Sequence, residues 1–402
     1  MSLPNSPYHG RMSARFVALL GLIAGLGAVT MDMYLPSLPD VATDLGTSAT
    51  AAQFTISGVL IGAGLGQLLM GPLSDRYGRR RPALVGIAIH VVASLACMVA
   101  PTIEILIAMR MLQGIGNSAA TVTAMAVIRD RLTGGPAARV LSRLMLVIGV
   151  APLLAPTVGG FIANQFGGWR AVFAALALFG VVLALLVYRF LPDTLAPENR
   201  TSAGVSTALR GYAALLRDRQ FVALAFLPAL AMSVVLSYVS GAPFVLREQF
   251  GLSAQQFALV FAANGLGGVI LSQVNASLVR RYEPLAILRV AIPGVLALAA
   301  VLLLIAATSF GGLFGLLVPL WLLMSATMIL PANATALALS RHGERAGTAA
   351  AFLGSLQSGL AGVVSPFVGF LGGDAVAMAT VLTTVLAAAF ILLALATPAY
   401  RR

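Results

Sequence analysis

Two ionisable side chains, Asp32 and Arg110, stand inside long apolar runs of this sequence. Placing a charge at the centre of a membrane helix costs about 3 kcal/mol on insertion scales, and such residues usually face a cavity or a partner. Removal from water favours the neutral form of a carboxyl group. A cavity acid can therefore take a proton from one side of a membrane and release it to the other. Arginine does not titrate in proteins, so Arg110 is expected either to favour the ionised acid when near it or to bind polar neighbours. A purely structural ion pair, or an interfacial place for Asp32 seven residues before Pro39, is the plainer alternative. Other chemistries lack their groups. The histidines are His9, His90 and His342, with no His-Glu-x-x-His, and His90 reads as structural. Cys97 is the single cysteine, which leaves no disulfide, no Cys-ligated metal site and no redox pair. It reads as a small buried apolar side chain. An enzyme is not expected, nor a cofactor or metal.

The elements that must position these two residues are membrane helices. Hydrophobic residues make up 59% of the chain and charged residues 9%, against about 45–50% and about 25% in soluble domains. Mean hydropathy is +0.96. The net charge of +12 would suggest nucleic acid in a soluble protein; here the basic residues, all arginine, fall mainly in loops, and topology explains them better. Twelve apolar segments are read at 15–39, 50–72, 82–100, 103–128, 138–165, 168–190, 220–246, 255–279, 285–307, 311–337, 345–370 and 375–397. Each is near the roughly 20 residues that a helix needs to cross a bilayer. They are too long for barrel strands, and the backbone must satisfy itself within lipid. The first segment has no small-residue cleavage site after it and reads as a retained helix.

The polar interval 191–219 divides the chain into two six-helix halves, 1–200 and 201–402. With both ends on one side, every arginine except Arg110, Arg170 and Arg247 falls in loops or ends on that side. The rule that such residues stay inside makes both termini cytoplasmic. The outer loops then carry Arg170 and Arg247 with Asp40, Asp44, Glu104, Glu248 and Asp374. Leu278-Val-Arg-Arg-Tyr282 is a degenerate copy of Leu73-Ser-Asp-Arg-Tyr77, with Arg280 in place of Asp75. Glycines such as Gly58, Gly62, Gly66, Gly114 and Gly116 suit close helix approach.

The turn Gly71-Pro72-Leu73-Ser74-Asp75-Arg76-Tyr77-Gly78-Arg79-Arg80-Arg81 resembles the loop between helices 2 and 3 of major facilitator superfamily transporters. Gly71, Asp75, Arg76, Gly78, Arg79 and Arg80 match its pattern of Gly-x-x-x-Asp-Arg-x-Gly-Arg-Arg. Arg110-Met-Leu-Gln113-Gly114-Ile-Gly116 resembles the helix-4 motif of proton-coupled members. Ala151-Pro152-Leu-Leu-Ala155-Pro156-Thr157-Val158-Gly159-Gly160 resembles the helix-5 antiporter motif of exporters, with Ala155 where a glycine is usual. Pro152 and Pro156 should bend that helix, and Gly159 and Gly160 would let backbones approach where the halves meet. With Trp169-Arg170, Phe173 and Met31-Asp32-Met33-Tyr34-Leu35-Pro36, these elements resemble the bicyclomycin and chloramphenicol resistance subfamily of drug:proton antiporters. The likeness covers nearly the whole first half; in the second it rests on Gly241-Ala242-Pro243-Phe244 and Asn333.

The resemblance implies an all-α membrane protein of twelve helices in two bundles, with substrate held between them. It implies proton-coupled drug export from a bacterial inner membrane, acting as a monomer whose partners are protons, a small molecule and lipid. Asp32 and Arg110 would couple protons. The 71–81 turn would be a latch whose arginines pair across the halves and stabilise the outward-facing state. Some relatives that export cations have a second acid two turns earlier in helix 1; Ala24 and Gly25 stand in that neighbourhood here, which suits neutral or zwitterionic substrates. A small-metabolite exporter or importer, of a peptide or amino acid, is the alternative. Candidates to line an apolar cavity with a few polar fixtures are Tyr34, Gln53, Asn117, Tyr238, Phe244, Phe261, Asn264, Met324, Asn333 and Gln357.

Overall fold

The computed structural model describes residues 13–132, 140, 144, 154–200, 205–340 and 346–397. Among them, eleven helices are long and apolar enough to cross a membrane. We number the membrane helices α1 to α12 and name shorter elements by range. The first half holds α1 (Ala14–Asp32), α2 (Ala49–Tyr77), α3 (Arg80–Met98), α4 (Ile103–Arg131) and α6 (Trp169–Phe190). The span expected at 138–165 lies mostly outside the described residues, and α5 is the helix at 154–166. The second half holds α7 (Arg219–Pro243), α8 (Ala254–Leu278), α9 (Pro284–Thr308), α10 (Gly312–Thr327, continued by Ile329–Leu339), α11 (Ala346–Val364) and α12 (Ala375–Ala396).

Helix starts follow from local chemistry. Ser48, Thr102 and Asp374 each accept a hydrogen bond from a backbone N–H three residues on, which satisfies a donor that the first turn leaves free. Ser253 and Gln256 form a reciprocal capping box at α8. Inside the first half, α2 and α4 approach until only glycine fits. A Cβ on Gly62 would stand 2.0 Å from the Met111 carbonyl oxygen, and one on Gly114 would stand 2.1 Å from that of Val59. The outer surface stays apolar, as at Val290, Phe314 and Leu395, which suits a hydrocarbon surround.

Three expected spans are interrupted. The first ends as regular helix at Asp32 and resumes as a 3-10 turn (Leu35–Ser37) and a short helix (Leu38–Asp44). Pro36 has no N–H to donate to the Asp32 carbonyl four residues earlier, so the helix breaks there. The segment read at 345–370 breaks before Pro366 into α11 and Phe367–Phe370, and α10 is interrupted at Met328. The polar interval also contains a helix that its charges and prolines did not suggest, Val205–Arg217. This amphipathic helix docks by Tyr212, which donates to the Leu68 carbonyl at 3.2 Å.

The halves touch along α2 and α11 and at the face away from the 71–81 turn. There the Gln53 side chain accepts from Gly369 N (3.0 Å), Phe54 meets Phe370 edge-on (5.7 Å), and Ser57 lies 3.5 Å from Ser365. This face is closed. We call it the opposite face, and the other the arginine-rich face.

Candidate functional site

The break after Asp32 builds the site. Met33 N donates to Val29 O and Tyr34 N to Met31 O, so neither reaches the Thr30 carbonyl. Arg110 of α4 does, through Nη1 at 3.3 Å. A cation thus meets the partial negative end of α1. The same Nη1 donates to Gln113 Oε1 (2.6 Å), Gln113 Nε2 donates to Ser94 (2.7 Å), and Ser94 donates to the His90 carbonyl (2.7 Å). The guanidinium lies 4.7 Å from the Tyr34 ring centre and 5.6 Å from that of Phe173. Desolvated cation–π contacts of this kind contribute about 2 kcal/mol. Arg110 is fully buried, yet its Nε and Nη2 have no hydrogen-bond partner among the described residues.

Asp32 is 6% exposed and is the buried acid among the described residues. No hydrogen bond or ion pair joins its carboxyl to a described residue, Arg110 included. Of the two roles open to Arg110, the structure has it binding polar neighbours. Tyr34, two residues beyond Asp32, is fully buried, accepts from Thr55 Oγ1 (3.1 Å) and packs on Phe173 at 5.2 Å. Asp32, Tyr34 and Arg110 are therefore brought together around one helix end.

Helix α5 closes on the same place. A Cβ on Gly159 would stand 1.9 Å from the Met33 carbonyl oxygen, whereas one on Gly160 would stand 3.8 Å from Ala254 Cβ of the second half and 3.9 Å from Pro36 Cβ of the first. The expectation that both glycines face the other half therefore holds for Gly160, and Gly159 packs on the break within its own half. Pro156 is buried; Pro152 lies outside the described residues. At the start of α6, Trp169 Nε1 (3.1 Å) and Arg170 both donate to Asp44, which anchors the short helix beyond the break.

The other cavity candidates scatter. Gln53 is fully buried in the contact at the opposite face, with its Oε1 taken by Gly369, which is a correction to its place in a cavity lining. Asn117 is bonded to His90 (2.8 Å), whose Nε2 reaches the Leu176 carbonyl, so both are tied into helix packing. In the second half, Tyr238 stacks on Phe261 (5.8 Å, 10°), and Asn264 follows one turn later. Asn264 and Asn333 each donate through Nδ2 to their own helix, and Asn333 also to Asn275 at 2.7 Å. This leaves Asn264 Oδ1, Asn333 Oδ1 and the Tyr238 hydroxyl buried with no hydrogen-bond partner among the described residues. Phe244 and Met324 are buried, and Gln357 is half-buried.

At the arginine-rich face Arg79 is the hub. It donates to Asp75 (2.6 Å), Ser74 (3.0 Å) and Asp130 (2.8 and 3.1 Å), and its backbone N–H to Asp193 (2.8 Å). Burial alone would weaken its hold on the proton; the bonds to Asp130 and Asp75 outweigh that and raise its pKa above the ordinary arginine value. Gly78 has φ +85° with Asp193 packed against it, which only glycine accommodates readily. Gly71 meets open space, Arg76 stacks on Tyr77, and Arg80 bonds the Tyr188 carbonyl. All these partners lie in the first half, so among the described residues the pairing across the halves expected of a latch is not made. Asp130 and Asp193 were missed in sequence; Asp130 stands between Arg129 and Arg131 at the end of α4, and Asp193 follows Arg189 just beyond the end of α6.

A sequence profile described as the Major Facilitator Superfamily matches residues 20–366. An uncharacterized MFS-type transporter of Bacillus subtilis is 35% identical over 93% of both chains. A bicyclomycin resistance protein homolog of Haemophilus influenzae is 27% identical over 90% of each, and a chloramphenicol resistance protein of Pseudomonas aeruginosa is 30% identical over 80% of this chain and 75% of its own. Among solved structures, a D-xylose-proton symporter superposes with a TM-score of 0.74 at 18% identity, covering 94% of this chain and 97% of that one. That likeness speaks for the fold alone.

Proposed function

The chain belongs to the Major Facilitator Superfamily, and from that membership we propose that it exports small neutral or zwitterionic drugs in exchange for protons. The relatives named for bicyclomycin and chloramphenicol resistance support drug export over transport of a metabolite. The halves 1–200 and 201–402 rock about the membrane midplane, the arginine-rich face is cytoplasmic, and the membrane is the bacterial inner membrane. A single chain carries the whole site.

One observation carries the reading: Asp32, the buried acid among the described residues, has no partner among them and sits at a helix break that Arg110 grips through the Thr30 carbonyl. A carboxyl without a fixed counterion is free to exchange its proton as access alternates. When Asp32 is protonated from the outer side and then releases its proton inward, charge appears at the end of α1 beside Arg110. Substrate binding and protonation exclude one another, which couples inward proton flow to outward drug movement. The buried atoms of Arg110, Tyr238, Asn264 and Asn333 that have no partner among the described residues suit a ligand with hydroxyl and amide groups, since each such atom left bare costs about 1–3 kcal/mol. The test is purified protein in liposomes with an imposed pH gradient, screened against chloramphenicol- and bicyclomycin-type compounds. Drug-stimulated proton flux is expected; its absence across the panel would end the drug-export reading.

A further inference from the structure

The described ion pair that joins the two halves lies at the opposite face. Arg247 of the second half donates to both oxygens of Asp40 (3.1 and 3.2 Å) and, through Nη1, to the Pro36 carbonyl. Its targets belong to the segment that begins four residues after Asp32. Arg247 is itself held in a π-helical turn, Phe244–Gln249, that follows Pro243. Gln249 of that turn accepts from Ala375 N at the start of α12 (2.8 Å). The guanidinium thus bridges an anchored turn of the second half and the 3-10 turn and short helix of the first that follow the break after Asp32.

We propose that Arg247 is the gate residue that keeps the opposite face closed by gripping the Pro36–Asp40 segment. A lone ion pair at a surface contributes little. This one is forked and combined with a carbonyl acceptor, and Arg247 is only 18% exposed against 53% for Asp40. Opening the face must break all three bonds at once. Because Pro36 is tied to Asp32 through one 3-10 turn, movement of the grip reaches the site directly. The proposal rests on the alternating-access reading above, and its test needs neither drug nor proton gradient.

Ser37 lies under the grip, 1% exposed. Ser37→Cys, in a Cys97→Ala background in bilayer nanodiscs, reports opening through its labelling rate with a membrane-impermeant maleimide. Arg247→Gln and Asp40→Asn should each speed labelling about tenfold, within the usual range of conformational coupling. The reversed pair Arg247→Asp with Asp40→Arg restores the ion pair but not the bond to the Pro36 carbonyl, so it should label more slowly than either single variant, which a folding defect would not do. Unchanged labelling in both single variants would overturn the proposal. So would acceleration in Arg247→Gln that Asp40→Asn does not reproduce and the reversed pair does not correct. A gate confirmed in this assay beside a failed drug screen would leave the gate standing and remove only the substrate class.

Discussion

Gly159→Ala adds one methyl group and tests whether α5 holds the break in α1. The new Cβ would stand 1.9 Å from the Met33 carbonyl oxygen, 2.7 Å from its carbon and 2.8 Å from its Cα. All three are backbone atoms, so no side chain can turn aside. The helix and the break would have to part by about 1 Å, and at that gap facing atoms lose a quarter to a half of their attraction. Overpacking of this kind costs about 1–3 kcal/mol. With backbone on both sides we expect the upper end, ~3 kcal/mol, which is on the order of 100-fold in an equilibrium. Gly160→Ala is the internal control, since among the described residues its Cβ would meet Ala254 Cβ at 3.8 Å and Pro36 Cβ at 3.9 Å, both ordinary contacts. The assays are the thermal unfolding midpoint of purified protein and drug resistance of expressing cells at matched membrane abundance. Gly159→Ala should lower the midpoint and lose resistance, while Gly160→Ala keeps both; Gly159→Leu should be more severe still. A Gly159→Ala protein with the parent midpoint and full resistance would refute the close approach.

Asp75→Asn removes one charge from the Arg79 hub outside the cavity, so turnover should fall about tenfold while drug affinity stays within about twofold. Transport rates with a binding titration check this, and lost affinity with normal turnover would contradict it. Arg110→Lys keeps the charge but gives up the planar guanidinium that meets the Tyr34 and Phe173 rings while bonding Thr30 and Gln113. We expect a loss of about 2 kcal/mol in stability and a matching drop in export, read by thermal unfolding and efflux; an unaffected midpoint would show that the cation–π contacts contribute nothing.

The spans were legible because a helix in lipid must be apolar for about 20 residues, and a run such as 375–397 tolerates no other reading. The arginine turn was legible in its residues but not in its partners, since Asp130 and Asp193 reach Arg79 only through the fold. The break at Asp32 was half-written: Pro36 and Pro39 stood in the sequence, yet apolarity continued through them and the segment read as one helix. Val205–Arg217 escaped because charge and prolines around it suggested a loop, although Leu209, Tyr212 and Leu216 recur at helical spacing. Arg247 was visible only as an exception to the arginine distribution. Its pairing with Asp40, 207 positions away, depends on how the halves meet. Gln53 was misplaced for the same reason, because nothing local tells a cavity wall from a closed seam.

The central claim is that Asp32 carries the coupled proton, and Asp32→Asn tests it most directly. The substitution keeps size and polarity and removes titration. Protein in liposomes is given two readouts: proton flux on drug addition under a pH gradient, and drug exchange for drug without a gradient. The account predicts that Asp32→Asn abolishes drug-dependent proton flux while exchange persists. Proton flux at the parent rate in Asp32→Asn would contradict it.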